Sequence, residues 1–135
     1  MSDCAIFDTS VLLDHLRTNR HAQRMAGLDV PIRNSSVVLA ELWRGAVSIE
    51  EKELLLALEE DYPILTPATA DWLESGQVLA AMRAHYGFPP PKLHGLHFDV
   101  LIALTACNHG AKLITSNRAD FELIREYRDF KLEVW

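Results

Sequence analysis

Residues 97–121, HFDVLIALTACNHGAKLITSNRADF, constrain the fold more than any other stretch. The apolar run after Asp99 is long enough for a helix and too long for a strand. His109-Gly110 marks a turn, Lys112 to Thr115 is strand-like, and a polar loop leads to Asp120 and Phe121. A buried helix that turns back into a strand is the repeating unit of an α/β sheet. Asp99 is the only formal charge between Lys92 and Lys112. It is expected in the first turn of the helix, where the helix dipole favours an anion. A lone carboxylate among apolar residues is costly to bury unless something pairs with it. Its partner has to come from elsewhere in the chain.

The N-terminal half repeats the alternation. Cys4-Ala5-Ile6-Phe7 reads as a buried strand that stops at Asp8. Thr9 or Ser10 is expected to cap the helix carrying Val11, Leu12, Leu13 and Leu16. A polar helix is expected near Ala22 to Leu28, and a short strand from Pro31 to Asn34. Ser35 and Ser36 offer a cap for Val37 to Val47, VVLAELWRGAV, which is apolar around most of its circumference. Ile49 to Glu60 is amphipathic, with Leu54, Leu55 and Leu58 inward.

Pro63-Ile64-Leu65 is a third strand candidate. Thr66-Pro67 looks like a helix start, with Pro at the first helical position. That helix is expected to run to His85 on a spine of Ala68, Trp72, Ser75, Leu79, Met82 and Tyr86, and to end at Gly87. Gly87 to Gly95, with three consecutive prolines, is expected to be a stiff loop. Asp120 to Tyr127 suggests a short helix, and Phe130 to Trp135 alternates like a last strand. Strands alternating with helices imply a mainly parallel sheet of about five strands, covered on both faces, in a single domain spanning residues 1–135.

Composition narrows the setting. At 135 residues and 49% hydrophobic, the chain can bury one sizeable core. It has no apolar run long enough to span a membrane and no signal-peptide pattern, so a cytoplasmic protein is expected. Cys4 and Cys107 read as free thiols. The net charge is −6, but residues 50–61 carry six acids and one Lys, which leaves the rest near −1. Arg17, Arg20, Arg24, Arg33 and Arg44 read as scattered surface charges rather than one basic patch.

Three carboxylates interrupt apolar runs: Asp8, Glu41 and Asp99; a fourth, Asp120, follows the strand Lys112 to Thr115. Each has an ordinary reading, as a strand-end cap, an Arg44 partner, a helix-start charge and a helix cap respectively. Ligand sites of open α/β sheets lie outside the carboxyl ends of the strands, where Asp8 and the loop to Asp120 belong. Converging carboxylates cannot all stay ionised without a cation. Oxygen-only ligands select a hard one, Mg²⁺ or Mn²⁺. His94 and His97, in HGLH, lack a nearby Cys partner and read as loop and helix-cap residues.

The motifs resemble those of the PIN-domain family, in its VapC-type toxin nucleases. The resemblance rests on FDTSVLLDHL at Phe7 to Leu16, SSVVLAELWRGA at Ser35 to Ala46, and FDVLIALTACNHGAKLITSNRADF at Phe98 to Phe121. Asp8 matches the Asp that ends the first strand, Glu41 with Gly45 the ELxxG helix, and Asp99 the Asp opening the IAxTA helix. At the fourth acidic position this chain has Asn117, with Asp120 matching a TxNxxDF version of the motif. Ser116 stands where that version commonly has Arg.

The resemblance implies a three-layer α/β/α PIN-like domain and a metal-dependent endoribonuclease, the toxin of a type II toxin–antitoxin pair. It implies Mg²⁺ or Mn²⁺ between Asp8 and Asp99, with Glu41 or Asp120 orienting or deprotonating the attacking water. Asn117, Ser116 and Thr9 would position substrate or water. RNA, a cognate antitoxin whose basic side chain enters the acidic pocket, and a second copy of the chain are the implied partners. The homodimer is also expected because the Val37–Val47 and Trp72 helices need cover. The competing reading is a non-catalytic PIN-like binding module that acts through its protein partner.

Overall fold

The computed structural model describes residues 2–135. The elements run β1 (Cys4–Phe7), α1 (Thr9–Thr18), α2 (Ala22–Ala26), β2 (Ile32–Ser35), α3 (Ser36–Gly45), α4 (Ile49–Asp61), β3 (Ile64–Leu65), α5 (Thr69–Tyr86), α6 (Pro90–Asn108), β4 (Ala111–Thr115), α7 (Arg118–Arg125) and β5 (Lys131–Val134). The five strands form one parallel sheet in the order β3-β2-β1-β4-β5. Helices flank it in a three-layer α/β/α arrangement. β1 is central, and all four of its residues are buried, as a strand covered on both faces requires.

The strand order reverses direction at β1. The chain builds outward through β2 and β3 on one side, then crosses to β4 and β5 on the other. The chain therefore leaves the carboxyl ends of β1 and β4 in opposite directions, which opens a crevice above them, the usual ligand position of such sheets. The register pairs Phe7 with Ile114, and Asp8 N donates to Ile114 O at 3.0 Å. Asp8 thus follows the last paired residue of β1, at that crevice.

Four boundaries differ from the sequence reading. The triple proline does not make a loop: Pro89 is the N-cap of α6, and Pro90 opens a 19-residue helix. The first N–H groups of any helix lack an internal partner, so prolines there forfeit nothing. Asp99 therefore lies in the middle of α6, not in its first turn, and the helix dipole does not account for it. His94 and His97 also sit inside this helix, with His97 Nε2 3.1 Å from Ser75 Oγ. At the start of α5, Thr66 is not the cap; its Oγ1 accepts from Ser36 Oγ at 3.0 Å. The helix begins at Thr69, where buried Asp71 accepts from Ala68 N at 2.8 Å.

The third difference concerns α1. Asp8 itself is the N-cap, accepting from Val11 N at 3.3 Å, so Thr9 and Ser10 fall in the first turn. α7 also starts earlier, at Arg118, capped by Asn117.

The core is built around α6, whose residues from Val100 to Ala106 are all buried. α3 needs no external cover: Val37, Val38, Leu39 and Leu42 are buried within this chain, and Trp43 Nε1 donates to Glu59 Oε1 at 2.6 Å. The α5 stripe that faces inward is Asp71, Ser75, Val78 and Met82. Trp72 and Tyr86 lie outside it, with Trp72 and Leu73 51% and 67% exposed. Leu54 of α4 likewise points outward, while Leu55 is buried. Both cysteines are free. No helix among the described residues is long and apolar enough to cross a membrane.

Buried Asn34 ties β2 to the end of α4. Its Nδ2 donates to Leu58 O at 2.6 Å and Tyr62 O at 3.1 Å. Asn34→Ala leaves both carbonyls without this partner. It should lower unfolding free energy by about 1–3 kcal/mol, read as a drop in the urea midpoint with an unchanged slope.

Candidate active site

Asp8 is buried, and its carboxylate is held from three directions. Oδ1 accepts from Ser10 Oγ at 2.6 Å and from Val11 N at 3.3 Å; Oδ2 accepts from Thr115 Oγ1 at 2.6 Å. Thr115 ends β4, so this last bond joins residues 107 apart in sequence. A carboxylate has roughly four lone-pair sites, and these bonds fix the orientation of Asp8. Burial pushes its proton affinity up, and the bonds from Ser10, Thr115 and Val11 pull it back down.

The other acids arrive on separate helices. Glu41, on α3, accepts from Thr9 Oγ1 at 2.8 Å through Oε1. Asp120, in the first turn of α7, is held by its cap: Asn117 Oδ1 accepts from Asp120 N at 3.3 Å, and Asn117 Nδ2 donates to Asp120 Oδ2 at 3.0 Å. Asn117 N donates in turn to Thr115 Oγ1 at 2.8 Å. The amide of Asn117 thus orients Asp120. Ser116 is exposed, and its N–H donates to Ser10 Oγ at 3.2 Å.

Asp99 is where these elements meet. Its carboxyl group is pushed up to about 7, first by burial and then by the charges of Glu41, Asp8 and Asp120; Lys92 opposes them. All three other acids are therefore close enough to act on Asp99. The sequence-predicted residues Asp8, Glu41, Asp99 and Asp120, with Thr9, Ser116 and Asn117, come together at the crevice. His94 and His97 do not join them. Among the described residues, no three His, Cys, Asp or Glu side chains stand close enough to hold a metal by themselves.

Asp8 and Asp99 still fit a hard cation. The donors are oxygen only, and both carboxyls have raised proton affinity. Mg²⁺ commonly takes one or two carboxylates and keeps several waters, so a two-acid site suffices.

Sequence reading missed Ser10 and Thr115 as the groups that hold Asp8, and missed Lys92 altogether. Seven residues separate Lys92 from Asp99, about two helical turns, which sets both on one face. Three consecutive prolines read as a helix break and hide that spacing.

The proton affinity of Asp99 has a consequence for stability. Its carboxyl titrates near 7 when folded, against an ordinary 3.8. Between those values the folded state binds more protons than the unfolded state, so stability falls as pH rises through the window and levels off above it. In EDTA, urea midpoints of the wild type should fall from pH 4.5 to 7.5 relative to those of Asp99→Asn. The variant should be the more stable of the two at pH 7.5.

The geometry has counterparts. The family profile described as PIN domain matches residues 5–127. The fold is similar to that of VapBC-1 from nontypeable Haemophilus influenzae, with 24% identity over 98% of each chain and a TM-score of 0.75. It is also similar to VapBC2 from Rickettsia felis bound to a DNA fragment from their promoter, with 21% identity over 98% of each chain and a TM-score of 0.70. A toxin–antitoxin complex from Klebsiella pneumoniae matches at 27% identity, covering 87% of this chain and 89% of that one, with a TM-score of 0.59. No curated protein matches the chain in sequence. With a profile match over residues 5–127 and the acids at the β1–β4 crevice, the chain belongs to the PIN domain family.

Proposed function

We propose that this chain, as one PIN domain over residues 1–135, is a metal-dependent endoribonuclease, the toxin of a type II toxin–antitoxin pair. The observation that carries the reading is the convergence of Glu41, Asp8 and Asp120 on Asp99, four acids from four different elements, at the sheet's ligand-binding edge. Such a site repels substrate phosphate unless a cation offsets it.

Asp8 and Asp99 would hold Mg²⁺ or Mn²⁺. When bound, the cation supplies charge stabilisation at the phosphoryl oxygens and a competent water nucleophile at neutral pH. The protein's own groups do the rest. Glu41, with Oε1 held by Thr9, keeps Oε2 available to accept a proton from the attacking water. Asp120, oriented by Asn117, is the other candidate for that role. Ser10, Val11 and Thr115 keep Asp8 from rotating away. In-line attack on phosphorus leaves a 5′-phosphate and a 3′-hydroxyl.

The toxin assignment draws on PIN membership and on the likeness to the Klebsiella pneumoniae toxin–antitoxin complex. A cognate antitoxin, whose basic side chain would compete with metal in the acidic pocket, a homodimer and a cytoplasmic location belong to the same reading. Exposed Trp72 and Leu73 on α5 supply apolar surface for self-association.

With Mg²⁺ present, Asp8→Asn and Asp99→Asn should each slow cleavage of a synthetic RNA by at least about 1,000-fold. EDTA should abolish the wild-type activity, and end-labelling should find 5′-phosphates. Cleavage that survives EDTA and leaves 2′,3′-cyclic phosphate would instead indicate a metal-free histidine mechanism. Wild type that cuts no RNA would favour a non-catalytic binding module.

A further inference from the structure

Two cations border the acids, and the proposed chemistry uses neither. Lys92 Nζ stands 3.7 Å from Asp120 Oδ1. Arg44 Nη2 stands 3.9 Å from Glu41 Oε2. Each is also set against an aromatic ring: Lys92 Nζ lies 5.7 Å from the Phe88 centroid, and Arg44 Cζ lies 6.0 Å from that of Phe98. Phe88 is itself stacked on Tyr86, with centroids 5.1 Å apart.

These two cations differ from several others in the chain. Arg20 is 3.0 Å from Asp14, Arg128 is 2.6 Å from Glu74, and Lys112 is 3.2 Å from Glu133, all close pairs outside the acidic site. Lys92 and Arg44 are 44% and 71% exposed, and their distances to the acids are long. Exposed, loosely held ion pairs exchange readily for a better anion. Their side-chain heads therefore border the acids and stay open to a ligand.

We propose that Lys92 and Arg44 hold the backbone phosphates on either side of the scissile one, so that a single RNA strand crosses the acidic site between them. The proposal rests on the endoribonuclease reading and deepens it by naming how the strand is held. A site of four acids repels a polyanion, and flanking cations offset that repulsion where the chain enters and leaves. Arg44 can grip a phosphate with two parallel N–H bonds, and Lys92 acts as a compact point charge. The rings of Phe88 and Phe98 keep these long side chains at the border of the site. Phe98, 37% exposed, and the flat guanidinium over it offer a surface on which a neighbouring base can stack. The prolines 89–91 place Lys92 in the first turn of α6, two helical turns from Asp99 on the same face.

The test uses Lys92→Gln, Arg44→Gln, the double variant, and Arg83→Gln on exposed α5 as a charge-matched control. Affinity for a labelled single-stranded RNA is read in the Asp99→Asn background at 50–200 mM salt. Cleavage is read in the otherwise wild-type chain with Mg²⁺. Each lost phosphate contact should flatten the slope of log affinity against log salt by about 0.7, and the double variant by about 1.4. KM should rise about tenfold with kcat within about twofold, Lys92→Arg should restore both, and Arg83→Gln should change neither. An unchanged slope and KM, in a protein that still cuts RNA, overturns the clamp and leaves the nuclease reading standing. A loss confined to kcat also overturns it. A wild type that neither binds nor cuts RNA removes the nuclease reading and this inference with it.

Discussion

A carboxylate taken out of water must find its hydrogen bonds inside the protein, and Asp8 completes its set only because β1 and β4 lie side by side. Thr115, at the end of β4, supplies the bond to Oδ2, and Ser10 and the backbone of α1 supply those to Oδ1. The parallel pairing of Phe7 with Ile114 sets the two strand ends level. A slip of one residue would turn Thr115 to the opposite face of the sheet, and Asp8 would lose one of its three donors. The same residue, Thr115, also receives the N–H of Asn117, which caps α7 and steers Asp120. One threonine thus links the first acid to the fourth.

Asp99 illustrates the opposite condition. No hydrogen bond comparable to those on Asp8 offsets its burial; three other acids act on it, and the Lys92 charge opposes them. Its carboxyl group is therefore poised to be neutral or to bind a cation, at the head of the buried run Val100 to Ala106 of α6. Function and stability are opposed at this position: the charge that would hold a metal weakens the empty fold at neutral pH.

A capping role and a site role are not alternatives here. Asp8 is both the N-cap of α1 and a site acid, and Asn117 is both the N-cap of α7 and the group that orients Asp120. Helix N-termini gather at the carboxyl edge of a parallel sheet because each crossover helix starts where a strand ends. Capping residues and ligand-binding residues are then drawn from the same few positions.

The amino-acid pattern by itself determined the alternation of strands and helices, the parallel sheet, and three of the four acids as interruptions of apolar runs. Those signals are local: a period of two or 3.6 residues, a cap, a charge where burial is expected. Their sequence spacing also carried the family resemblance. Other features depended on distance in the chain and were legible only in the fold. Helix α6 begins at the prolines because the helix start needs no donors there, which moves Asp99 to mid-helix and brings Lys92 into line with it. Thr115 meets Asp8 across 107 residues. α3 proves to be covered by its own chain, and the inward stripe of α5 keeps Ser75 and Met82 of the expected spine but has Asp71 and Val78 in place of Trp72 and Tyr86. Packing partners decided the last three of these, because a residue's burial and charge environment depend on which distant segments lie against it.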